Sequence, residues 1–169
     1  PAHPAASGEV DGKAPLGRRV MADIPLIRNF GAGAVFAFRN RRPIRVEEFL
    51  GEVRRLADSL PDRHCVVNLC SDRYQFAVGL CAALLRRQVN LLPPNATPDL
   101  LKRLSLDYPG LYCLSDGPVQ PPAQIEVFLY GQPEAGSGAA ASVPRIPGEQ
   151  VAAVTFTSGS TGQPTPHPK

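Results

Sequence analysis

Residues 65–92 constrain the rest of the chain, because they read as strand, helix, strand in immediate succession. Cys65-Val66-Val67-Asn68-Leu69-Cys70 is a short, mostly apolar run suited to a strand buried on both faces. Ser71-Asp72 follows with a capping oxygen, and Gln75 stands where it can answer Asp72 as in a capping box. Residues 73–87 are apolar nearly all round until Arg86-Arg87, which predicts a buried helix. Val89-Asn90-Leu91-Leu92 is a second strand, closed by Pro93-Pro94. Two strands joined by one helix must lie parallel. The predicted class is α/β, with a mostly parallel sheet and flanking helices.

The flanking segments extend that pattern. Over residues 45–60 the apolar side chains Val46, Phe49, Leu50, Val53, Leu56, Ala57 and Leu60 fall at helical spacing. Glu47, Glu48, Glu52, Arg54 and Arg55 are placed on the wet side. Pro61 ends this helix, and neither Ile44 nor Arg45 can cap its start. Thr97-Pro98-Asp99 predicts a third helix, with an N-cap hydroxyl, proline at N1 and an acid in the first turn. Residues 111–114 and 125–130 read as strands. Residues 131–150 are dominated by Gly, Ala, Pro and Ser and read as an internal loop, after which 151–157 forms a last strand.

Composition excludes several function classes. The longest apolar run, residues 76–85, is too short to span a bilayer. The net charge of +3 is small and its basic residues are dispersed, which argues against a nucleic-acid binder. Residues 1–20 lack the apolar block of a secretory signal and read as a disordered or non-native extension. The organised part is 21–169, with Met21 as the expected native start. Cys65, Cys70, Cys81 and Cys113 include no C-x-x-C pair, so they predict neither a zinc site nor a redox centre. They read as small buried hydrophobes in a reducing cytoplasm.

The chemistry-bearing segment is Thr157-Ser158-Gly159-Ser160-Thr161-Gly162, directly after the last strand. Glycines free the backbone to expose its amides, and the hydroxyls add donors, so such a loop can wrap an anion. A flexible linker is the plainer meaning of this composition, but a linker need not begin at the end of a buried strand. The segment is neither G-x-x-x-x-G-K-[ST] nor G-x-S-x-G. Gly136-Ser137-Gly138-Ala139-Ala140-Ala141 does match a dinucleotide fingerprint. Pro133 and Pro144 deny it the flanking strand and helix, so it reads as loop.

Val154-Thr155-Phe156-Thr157-Ser158-Gly159-Ser160-Thr161-Gly162-Gln163-Pro164 resembles the phosphate-binding signature of the adenylate-forming superfamily. That group includes acyl- and aryl-CoA synthetases, peptide-synthetase adenylation domains and luciferases. Residues 46–60 and 65–93 are similar to its first helix and its strand, helix and strand. The usual signature ends T-S-G-S/T-T-G-x-P-K, whereas here Thr165-Pro166-His167-Pro168 stand before Lys169. That variant is similar to AMP-ligases of aryl-polyene pigment pathways. Lys169 is the candidate for the lysine's part, with the loop bulged by four residues. His167 is either a phosphate contact or an exposed loop histidine.

The resemblance implies an enzyme that joins a carboxylic acid to the α-phosphate of ATP, with Mg²⁺, and passes the acyl group to a thiol of coenzyme A or a carrier protein. Residues 157–162 would hold the β- and γ-phosphates. The superfamily's catalytic lysine, metal-binding glutamate and most of its acyl pocket lie beyond this signature. The chain is therefore expected to hold no catalytic or metal residue and to be inactive alone. Two alternatives stand beside this one. The chain could be a non-catalytic module whose unpaired sheet edge a partner covers, or a simple nucleotide-binding protein using the same loop.

Overall fold

In the computed structural model, the described residues are 22–28, 30–31, 33–131, 142–158 and 164–169, with Thr157, Ser158 and Pro164 described by backbone alone. The expected extension over residues 1–20 and the Gly136–Ala141 fingerprint lie outside them. The N-terminal elements are β1 (Ile24–Pro25), β2 (Val35–Arg39), β3 (Arg42–Arg45) and α1 (Val46–Ser59). Next come β4 (Cys65–Asn68), α2 (Arg73–Leu85), β5 (Val89–Leu92), α3 (Pro98–Asp107), β6 (Tyr112–Ser115) and β7 (Glu126–Leu129). The chain closes with β8 (Arg145–Ile146), β9 (Ala153–Ser158) and β10 (Pro164–Pro168).

Six strands form one sheet in the order β10-β9-β5-β4-β6-β7. Every neighbouring pair is parallel except β9 and β10. The α/β class with a mostly parallel sheet is thus the architecture observed. Alternation along β4 shows why this strand is central. Val66 joins the core under α1 and α2, while Val67 joins the core under α3, and both are fully buried. The β4-α2-β5 and β5-α3-β6 crossovers therefore lie on opposite faces. Their loops diverge at the carboxyl ends of β4 and β5, the kind of switch point at which α/β sheets generally bind ligands.

The three helices follow the sequence closely, and their ends show where tertiary contacts intervene. Asp72 caps α2, its Oδ1 accepting the Gln75 amide at 2.9 Å. The reciprocal half of the capping box does not form. Gln75 Nε2 is buried without a partner, and the Asp72 amide instead donates to Asp116 Oδ2 at 2.7 Å. Thr97 precedes α3 without a side-chain cap bond, because its hydroxyl donates to Asn95 Oδ1 at 3.4 Å. α1 departs most from expectation. Glu52 is buried and Arg55 half-buried, since α2 and the end of β7 cover the face that periodicity assigned to solvent.

Five strands are not evident from the apolar pattern. β2 and β3 form a hairpin whose two turn residues, Asn40 and Arg41, both take positive φ (50° and 64°), as a type I′ turn requires. Phe36 from this hairpin stacks on Phe49 of α1 with centroids 3.7 Å apart. β1 pairs with β8, inside the stretch read as loop. Finally, the proline-rich tail is strand β10. Lys169 N donates to Ala153 O at 2.8 Å, so residues in its phase, Thr165 and His167, face β9. Pro164, Pro166 and Pro168 alternate with them and face outward. Proline has no N–H, so this sheet edge is blunted against further strands. Among the described residues, no helix is long and apolar enough to cross a membrane.

Candidate functional site

β9 brings the chain to the carboxyl edge of the parallel sheet beside β5, and β10 carries it back. Backbone pairing sets Thr157 opposite Thr165 and Ser158 opposite Pro164. Gly159, Ser160, Thr161 and Gly162, the rest of the expected phosphate loop, lie outside the described residues. The carboxyl end of a parallel strand is where α/β sheets present loops to ligands. Thr157 and Ser158 stand at that end of β9.

Lys169 is held elsewhere. Besides its bond to Ala153, its carbonyl accepts from Ala152 N at 2.8 Å, which fixes the residue at the amino end of β9. Five residue steps separate Ala153 from Ser158, about 16 Å of strand. The register from Pro164 to Pro168 runs without a break, so the four residues expected to bulge the loop instead extend the ladder. The physical reason is that each proline fixes an extended-compatible φ while every intervening residue completes a pairing with β9. Thr165 thus occupies the ladder place directly after Pro164. His167 sits on the exposed strand opposite Thr155, whose hydroxyl donates to the His167 carbonyl at 3.4 Å.

Other polar groups line the same edge. Asn68, at the end of β4, donates from Nδ2 to Phe76 O at 2.9 Å and accepts the Cys70 amide on Oδ1 at 3.1 Å. Asp116, just past β6, accepts the amides of Ser71 (3.0 Å) and Asp72 (2.7 Å) and the Ser71 hydroxyl. Arg39 approaches Asp72 at 3.8 Å. Sequence inspection missed this clamp, although an aspartate directly after a buried strand was its visible signal. Burial works to raise the Asp116 carboxyl. The amides of Asp72 and Ser71, with the Ser71 hydroxyl, outweigh it and leave the group below its ordinary value of 3.8.

A carboxyl depressed in the folded state adds stability above its unfolded pKa, and that contribution disappears as pH falls through the folded value. Asp116 should therefore contribute at pH 5 and above, and its contribution should be lost below about pH 4. Urea midpoints at pH 5 and pH 3 check this. Asp116→Asn should lower the midpoint at pH 5 more than at pH 3. An equal loss at both would remove the carboxylate from this role.

The thiols are poor nucleophiles. Burial pushes Cys70 up to about 12, with the Asp116 and Asp72 carboxylates adding to it, and burial pushes Cys81 and Cys113 to about 11. Among the described residues, no three His, Cys, Asp or Glu side chains come together as a metal site.

No known family profile and no curated protein matches the sequence. Solved structures do. The N-terminal subdomain of Klebsiella oxytoca NpsA, in complex with 3-hydroxybenzoyl-AMSN, matches with a TM-score of 0.58 and 20% identity, over 80% of this chain and 36% of that one. The o-succinylbenzoate CoA synthetase MenE of Bacillus subtilis matches with a TM-score of 0.58 and 17% identity, over 77% and 29%. PA1221, an NRPS protein containing adenylation and PCP domains, matches with a TM-score of 0.57 and 20% identity, over 79% and 28%. The chain has the fold found in the N-terminal subdomain of adenylate-forming enzymes, and it spans about a third of the length of those structures.

Proposed function

We propose that the chain is the N-terminal part of an ATP-dependent acyl- or aryl-acid ligase that forms an acyl-adenylate and transfers the acyl group to a thiol of coenzyme A or a carrier protein. The observation that carries this is that strand β9, parallel to β5, ends at Thr157-Ser158, from which the sequence runs on as Gly159-Ser160-Thr161-Gly162. It stands in a fold whose solved examples include complexes with AMP and with an aroyl-AMSN. In such a reaction the substrate carboxylate is the nucleophile. The protein's part is to hold the triphosphate and neutralise charge on the departing pyrophosphate. Residues 157–162 would cradle the β- and γ-phosphates with backbone amides and hydroxyls. Magnesium would share that charge, held by ligands from outside this stretch.

Lys169 would reach those phosphates only if β10 shifted along β9, so the loop itself is assigned the main role. The blunted proline edge gives no support to a partner strand at β10, and nothing distinguishes a simple nucleotide binder at this loop. Calorimetric titration with ATP tests the assignment. The 169-residue chain should bind ATP weakly, and Gly159→Val should weaken binding at least tenfold. Binding indifferent to that substitution would overturn the loop's role. The same chain should show no carboxylate-dependent exchange of pyrophosphate into ATP. Exchange by the chain alone would show that it already contains the catalytic machinery.

A further inference from the structure

α1 presents Glu52, Arg55, Leu56 and Ser59 along one face, and with residues 128–131 they line a cleft of about 150 Å³. This cleft lies at the β7 edge, four strand spacings (about 19 Å) along the sheet from β9. Its polar groups are not equivalent. Both oxygens of Glu52 are engaged, Oε2 by the Tyr74 hydroxyl at 2.6 Å and Oε1 by the Tyr130 hydroxyl. Arg55 is the opposite case. Its Nε and Nη2 are buried and donate to nothing.

Those two nitrogens form one fork of the guanidinium, the side-on pair that matches the two oxygens of a carboxylate. Arginine cannot relieve the situation by losing its proton. Buried donors of a permanent cation are almost always satisfied, so an unfilled fork inside a cleft marks a missing acceptor. We propose that this cleft binds a small monocarboxylate, with its two oxygens on Arg55 Nε and Nη2. Leu56, Phe128 and Leu129 would cover the organic part of the ligand. Glu52 lies one helical turn from Arg55 on the same face, so its charge disfavours a dianion such as phosphate. Its own lone pairs, facing two tyrosines, leave the Arg55 fork open.

Benzoate is a suitable probe, titrated into the ¹⁵N-labelled 169-residue chain while the Arg55 Nε–Hε signal is followed. Saturable movement of that signal is expected with benzoate. Benzamide, which has one acceptor oxygen and no charge, should leave it in place, and inorganic phosphate should bind more weakly than benzoate. Arg55→Lys keeps the charge but removes the fork and should weaken benzoate binding at least tenfold. Gly131→Trp leaves Arg55 intact and should narrow the cleft, since Gly131 is one of its lining residues and a Cβ there meets no other group. It too should weaken binding. An Arg55 signal unmoved by benzoate would assign the fork to water alone and overturn the proposal. Equal movement with benzamide, phosphate binding as tight as benzoate, or undiminished binding by Arg55→Lys would each do the same.

Discussion

Replacing Glu52 with alanine should destabilise the fold by about 3–5 kcal/mol, because two buried hydroxyls lose a charged acceptor and a small void opens. Tyr74 and Tyr130 are each only 8% exposed, and they come from different elements, α2 and the end of β7. Glu52 is the acceptor that ties both to α1. Burial first, and then the hydrogen bond to Glu52, raises both phenols above their ordinary value of 10, so they remain donors. Urea unfolding measures the loss. A triple replacement, Glu52→Leu with Tyr74→Phe and Tyr130→Phe, should recover much of it, because removing all partners together leaves no orphaned polar group. If Glu52→Ala costs less than about 1 kcal/mol, the hydroxyls have found other acceptors and the network is not structural.

The second large effect is expected at Gly79. It lies on the face of α2 that meets the sheet, and a Cβ there would stand 2.6 Å from Leu114 Cδ2 and 2.8 Å from Asn68 Nδ2. Leu114 is fully buried and Asn68 nearly so, and Asn68 Nδ2 is already bonded to Phe76 O at 2.9 Å. Neither neighbour can yield without losing packing or that bond. Gly79→Ala should therefore destabilise by about 1–3 kcal/mol, although alanine is the better helix former by about 1 kcal/mol. Gly79→Val should cost more. Adding Leu114→Ala to Gly79→Ala should give less loss than the sum of the two singles, and strict additivity would place the strain elsewhere. Because Asn68 also holds the Cys70 amide, the same substitution should loosen the loop at the carboxyl end of β4.

These positions show what kind of information the sequence carries. Periodicity placed α1, an apolar run behind a capping Asp72 placed α2, and the Thr97-Pro98-Asp99 start signal placed α3, each a pattern local to its own segment. The apolar runs at 65–70 and 89–92 identified strands buried on both faces, and one helix between them required a parallel pair. The strand before the TSGSTG segment was legible because its apolar run at 151–157 is a local property. Glu52 and Arg55 were misassigned because the polarity of a residue does not reveal what another element lays over it. α2 and β7, distant in sequence, turned that face inward. The hairpin of β2 and β3 went unread because its turn sets Asn40 and Arg41, rather than glycine, at positive φ.

The tail shows the division most clearly. Three alternating prolines argue against a strand when only the sequence is seen, since each removes a ladder donor. A sheet edge needs donors on one side only, and the fold places all three prolines on the other. The sequence determined the α/β class, the helices and the strand that leads into the TSGSTG segment, all set by patterns within a few residues of one another. Tertiary structure decided which strand would be the edge. In doing so it made the proline-rich segment β10, carried Lys169 to the far end of β9, and closed Glu52 and Arg55 beneath their neighbours.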